Sequence, residues 1–135
     1  MSIQFSTSVR NARLDAIETT ISTSAIMKIR TGAAPADCGT ADSGTVLATL
    51  SLPSDWLAAA SGGSKAKSGT WQDASADATG TAEHFRIYDS GGTVCHIQGT
   101  VTATGGGGDL TLDNTSIATG QTVTITSFSL TDGNA

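Results

Sequence analysis

The sequence predicts a mainly β fold, a jelly roll or β-sandwich with one short N-terminal helix, and three observations carry the prediction. Ser, Thr and Gly fill two-fifths of the 135 residues, and Thr is the commonest residue, a composition of strands and turns. Six or seven segments alternate apolar and polar residues with a period of two, separated by turn signals every 8–15 residues. One stretch alone, from Ser8 to about Ile21, changes to the helical spacing of three and four.

Taken in order, residues 1–7 form a short arm whose apolar members Ile3 and Phe5 are too isolated to bury themselves, so the arm is expected to dock on a partner. The helix follows, with Leu14, Ile17 and Ile21 as its stripe and Ser6, Thr7 or Ser8 available as its cap. Arg10, Arg13, Asp15 and Glu18 flank the stripe; they are a solvated face or, for Arg10 and Arg13, anchors to an acidic partner surface. Ala25 to Arg30 starts the strands, with Ala25, Met27 and Ile29 inward and Ile26, Lys28 and Arg30 outward. The run 31–44 is a long loop of small residues around Pro35, of a length that is often functional or packed on a neighbour. Thr45 to Leu52 is the next strand, with Val46, Ala48, Leu50 and Leu52 on its core face, and Pro53 ends it.

Ser54 to Ala60 suits a turn of helix with Trp56 on the sheet edge, and Ser61 to Gly69 reads as flexible. Trp71 sits in a short strand from Thr70 to Asp73. The central feature is a hairpin over Thr81 to Thr104: Phe85 and Ile87 face the core while His84, Arg86 and Tyr88 face water, and Asp89-Ser90-Gly91-Gly92 makes the reversal. Cys95, Ile97, Gly99, Val101 and Ala103 share one face of the second arm. Gly105, Gly106, Gly107 and Gly108 form a loop tip or hinge, and Leu110 and Leu112 point inward from the strand after it. Ile117 follows on a turn. Gln121 to Thr131 reads as one strand whose parity switches between Ile125 and Phe128, requiring a bulge near Ser127. Residues 132–135 are expected to fray.

Nothing separates two hydrophobic cores, so residues 8–135 are one domain behind the arm. Leu, Ile, Val and Phe total 25 residues, a thin core, and the net charge of −5 is low enough for the chain to fold around it. Small domains with thin cores often complete themselves by assembly. All seven basic residues lie at or before Arg86, and the last third is purely acidic, which argues against nucleic acid as a partner. There is no apolar segment behind a basic start and none of membrane-spanning length, so the expectation is a soluble protein made in the cytosol, without a membrane partner. Cys38 and Cys95, 57 positions apart, are expected to stay reduced in such a compartment.

Catalytic and cofactor signatures do not emerge. The run Gly63 to Thr70 lacks the ending of a phosphate-binding loop, and Ser90 is a turn residue rather than a nucleophile. His84, His96, Cys38 and Cys95 lack metal-ligand spacing, and adjacent Cys95 and His96 point to opposite faces of a strand. The carboxylates sit in turns beside Gly or Ser, where they serve turn amides. We expect no enzyme activity, no cofactor and no metal. A receptor- or glycan-binding module would need an aromatic platform, for which Trp56, Trp71 and Tyr88 are the candidates.

Five segments, RNARLDAI, AIMKIRTGAAPA, the W-x-x-A-A-A-S-G-G-S element, ATGTAEHFRIYDSGGT and the closing LTLDNTSIATGQTVTITSFSLTDGNA, resemble small virion proteins encoded among tailed-bacteriophage structural genes. The resemblance spans Phe5 to the end and carries no catalytic signature. It implies a head decoration or cement protein with a jelly-roll or β-sandwich body, made in the host bacterial cytoplasm and located on the capsid surface of the virion. The implied partners are the major capsid protein and further copies of this chain, as a dimer or trimer. Within that reading the interface candidates are Ile3, Phe5, Arg10 and Arg13 on the arm and helix, Pro35 in the long loop, and Gly105 to Gly108 at the glycine tip. A tail, neck or baseplate component is the alternative virion role.

Overall fold

The computed structural model describes residues 2–133, so Met1 of the arm and the last two residues of the expected frayed end lie outside the described residues. The described residues form one helix, α1 (Thr7–Ile21), followed in order by β1 (Ile26–Arg30), β2 (Val46–Ser51), β3 (Ser64–Ala66), β4 (Trp71–Asp73), β5 (Gly80–Thr81), β6 (His84–Tyr88), β7 (Cys95–Ala103), β8 (Leu110–Leu112), β9 (Ser116–Ile117), β10 (Val123–Ile125) and β11 (Ser129–Thr131). The mainly β reading with one N-terminal helix therefore holds. Ser6 caps α1: its backbone is extended and its hydroxyl accepts from the Val9 N–H at 3.2 Å, satisfying one donor that the first turn cannot.

Five strands form the main sheet in the order β2-β1-β6-β7-β8. The first four pair antiparallel, whereas β7 and β8 run parallel over Val101–Ala103 and Leu110–Leu112. Parallel neighbours ordinarily need a crossover of about a dozen residues or more. Here the connection is the short glycine tip, and positive φ values of 88° at Gly105 and 81° at Gly107 let the chain turn back on itself. Three two-stranded ribbons, β4 with β10, β3 with β11 and β5 with β9, complete the strands.

The core lies where these ribbons meet the sheet. Met27, Ile29, Leu50, Phe85 and Ile87 contribute from the sheet, and Trp71, Val123, Ile125 and Phe128 from the ribbons and their connections. Phe128 joins the two: its ring lies 5.8 Å from Phe85, edge to face, and 5.3 Å from Trp71, which is 6.0 Å from Trp56. The helix seals one side through Leu14, Ile17 and Ile21.

Several local expectations are corrected. Ser54 to Ala60 is not a turn of helix. It bends at Ser54 and Asp55 and then bridges Leu57 to Lys67, because the fully buried Trp56 is drawn inward and its indole N–H donates to Ser22 O at 2.9 Å. The run from Ser61 to Gly69 is not a flexible connection, since β3 pairs with β11 and buries Lys65. The parity switch in the last segment is not a bulge in one strand: Thr126 to Phe128 separates β10 from β11, which pair with different partners, and Val123, Ile125 and Phe128 all reach the core. Asp132 does not fray, since its N–H donates to Gly63 O at 2.9 Å. Leu47, on the expected wet face of β2, is buried because Asp77 and Ala78 cover it, both donating to its carbonyl.

The largest correction concerns the central hairpin. Its turn, with Gly92 at φ 70° and donating to Asp89 O, forms where the glycines predict, but the register shifts between Ile87 and Tyr88, so Cys95 pairs with Tyr88 and leaves the face that Ile97 shares with Ile87. Yet His84, Arg86 and Tyr88 do not face water: all five residues of β6 are buried, and so is Arg30 of β1. The cause is the 31–44 loop, folded across that face of the sheet.

Candidate functional site

The loop is held by a polar network that the apolar pattern gives no reason to expect. Arg86, 2% exposed, donates through Nη1 to Asp42 Oδ1 at 2.6 Å and through Nη2 to the carbonyls of Asp37 at 2.8 Å and Thr40 at 3.0 Å. Arg30 donates to the other Asp42 oxygen at 2.9 Å, and the Tyr88 hydroxyl donates to Oδ1 at 2.6 Å. Gln98, opposite Arg86 on β7, accepts from Arg86 Nε at 3.0 Å and donates to Pro35 O at 2.7 Å. His84 Nδ1 meets Gly32 O at 2.6 Å, and the Gly32 N–H donates to Glu83.

Asp42 is the centre of this network. Partial burial pushes its carboxyl up, but hydrogen bonds from Tyr88 and Arg86 and the charges of Arg30 and Arg86 outweigh it and hold the pKa below the ordinary value of 3.8. Burial pushes the Tyr88 phenol up, with the Asp42 hydrogen bond adding to it. For Arg86, burial opposes the charged form, yet the Asp42 carboxylate more than restores it. Buried cations so paired are structural anchors, and they make 31–44 part of the folded body.

The N-terminal arm contrasts with this loop. Ile3 is 82% exposed and Phe5 44%, and Val9 on the first turn of α1 is exposed as well. Phe5 lies under Arg13, whose guanidinium carbon is 4.9 Å from the ring centroid. Arg13 Nε also pairs with Asp132 at 3.0 Å, and Arg10 Nη1 donates to Asp132 O at 3.2 Å. Both arginines thus tie the helix to the segment after β11. Deeper along the helix, Lys65 reaches from β3 to Asp15 at 2.7 Å and Glu18 at 3.0 Å, locking α1 to the ribbon below.

The interface candidates therefore fall in three separate places. Ile3, Phe5, Arg10 and Arg13 gather around the start of α1. Pro35 is half-buried and held by Gln98. Gly105, Gly106, Gly107 and Gly108 cap the β7–β8 end of the sheet, where Gly106 N–H donates to Ala103 O at 2.9 Å and Gly108 N–H to Thr102 Oγ1 at 2.9 Å, so the tip is a hydrogen-bonded turn. Asp42 and Arg86 were not legible as a pair, since an arginine on an alternating strand reads as solvent-facing. Trp56 and Trp71 are fully buried and Tyr88 is 1% exposed, so none of the three offers a platform for a sugar ring. Among the described residues, no group of three or more His, Cys, Asp or Glu side chains could hold a metal ion, and no helix is long and apolar enough to cross a membrane.

No protein-family model matches the chain, and comparison with curated proteins and with solved structures finds no significant similarity.

Proposed function

We propose that this protein is a decoration or cement protein of a tailed-bacteriophage head, which binds the outer surface of the capsid lattice and stabilises it against internal DNA pressure. The observation that carries the reading is the exposed apolar start of the chain: Ile3 is 82% exposed, and Phe5, packed under Arg13, and Val9 keep apolar surface open beside it. Exposed apolar residues on a terminal arm gain burial only on a second surface. Copies that bind the assembled shell but not its dissociated subunits oppose rupture by mass action. The body is read as a jelly roll or β-sandwich whose ribbons form the second layer. Dimerisation or trimerisation through the sheet edge fits the topology: the outer edge of β2 is covered by Asp73 and Asp77, whereas β8 covers β7 only from Val101 onward.

The test is the copy number of the chain in purified virions, measured by quantitative mass spectrometry against the major capsid protein. Hundreds of copies in simple proportion to the capsid protein support the reading. A dozen or so would move the protein to the tail, neck or baseplate, and absence from particles would overturn a virion role.

A further inference from the structure

Cys38 and Cys95 are brought together by anchors on either side of Cys38. Arg86 holds the carbonyls of Asp37 and Thr40, the residue before Cys38 and the second after it, and Gln98 holds Pro35. Arg86 and Gln98 are register partners, and two residues along β6 from Arg86, Tyr88 is the register partner of Cys95. The loop is therefore pinned beside the start of β7, and Cys38, Cys95 and Arg86 line one open cleft between them. Both cysteines are half-buried and free. Cys95 Sγ donates to Ile97 O at 3.4 Å.

We propose that Cys38 and Cys95 form an oxidisable pair, which a low-molecular-weight disulfide converts to an intramolecular bond clamping the 31–44 loop to β7. The Cys38 thiolate attacks one sulfur of the small disulfide. Its S–S bond breaks, one small thiolate leaves and takes up a proton from water, and Cys38 carries the mixed disulfide. Cys95 then gives its proton to water and attacks the Cys38 sulfur, expelling the second small thiol. The chain loses two electrons and two protons, and the small disulfide gains both. Burial, with the neighbouring Cys38 thiol adding to it, pushes the Cys95 thiol up to about 12, so Cys95 is the poorer first nucleophile and the order runs from Cys38. Closing a loop of this length restricts the unfolded chain, and the bond is expected to raise the melting temperature by roughly 10 °C.

The full-length protein is incubated with oxidised glutathione and analysed by intact mass, non-reducing peptide mapping and thermal melting. The expected product has lost two hydrogen atoms, carries no glutathione, links the Cys38 and Cys95 peptides, and melts higher until dithiothreitol reverses the gain. In Cys95→Ser the Cys38 thiol has no resolving partner, so the variant retains one glutathione and shows no such gain, whereas Cys38→Ser, left with the poorer first nucleophile, stays largely unmodified and shows none either. Persistent glutathione adducts on the unsubstituted chain, two free thiols after prolonged oxidation, a bond between two copies, or a linked product with unchanged melting would each overturn the proposal.

Discussion

Arg86 on the central strand donates to Asp42 at 2.6 Å across 44 positions of sequence, and this one contact turns a long small-residue loop into the lid of the sheet. Asp42 also neutralises Arg30, so one carboxylate serves two buried guanidinium groups.

Asp42→Asn keeps the volume and removes the charge, leaving Arg30 and Arg86 buried without a counter-ion. Breaking a fully buried pair costs roughly 3–5 kcal/mol, and the part-exposed Asp42 side chain lowers the expectation to about 2 kcal/mol. Urea unfolding measures it, with the exposed Asp55→Asn as the control; equal midpoints for the two variants would remove Asp42 from the centre of the network.

The acid limb of stability follows from the same group. The pKa of Asp42 is depressed in the fold, as are those of Asp15, Asp37 and Asp89. Their contribution is therefore present above the ordinary value of 3.8 and is lost as the pH falls below it through the folded values. Melting temperature recorded against pH should fall below about pH 4, and Asp42→Asn should flatten that fall. An unchanged acid limb in the variant would contradict the assignment.

Lys65 gives the alkaline counterpart. Burial opposes its charge, but hydrogen bonds to Asp15 and Glu18 outweigh the burial and raise its pKa above 10.5. Its contribution is present in full below that value and is lost as the pH rises through the raised one. Lys65→Met replaces a buried cation with an apolar chain of similar length and should stay within about 1 kcal/mol of the unsubstituted protein. Asp15→Asn combined with Glu18→Gln strands the ammonium and should lower the unfolding midpoint more than Lys65→Met does.

Trp71 carries the packing between ribbons and sheet. Its indole donates to Ser68 O at 3.1 Å while its ring meets Trp56 and Phe128. Trp71→Ala should cost about 3–5 kcal/mol and abolish the near-ultraviolet circular dichroism of the aromatic cluster. Trp71→Phe should lose less, because it keeps most of the ring contact.

The arm separates binding from folding. Deletion of residues 1–5 leaves the Ser6 cap in place, so helicity and melting temperature should change little while binding to capsids is lost. Co-sedimentation with expanded heads lacking the native protein measures this, and undiminished binding would exclude Ile3 and Phe5 as the contact.

Local chemistry made much of the architecture readable. Alternation located β1, β2, β4 and the β6–β7 hairpin; the change to spacing of three and four located α1; and Pro53 and the glycine runs marked the breaks. These signals are legible because side-chain direction repeats with backbone geometry, and one residue reports on its near neighbours. The same reasoning assigned His84, Arg86 and Tyr88 to water, because it sees one strand at a time. Whether a face is wet depends on what else folds over it, and the 31–44 loop does so only when Asp42 meets Arg30 and Arg86. Likewise, the burial of Lys65, the splitting of the last segment into β10 and β11, and the meeting of Cys38 with Cys95 rest on contacts between distant residues. Periodicity carries the direction of a side chain along the chain; only the closed tertiary structure supplies the neighbour that decides whether that direction leads to solvent, to core or to a partner charge.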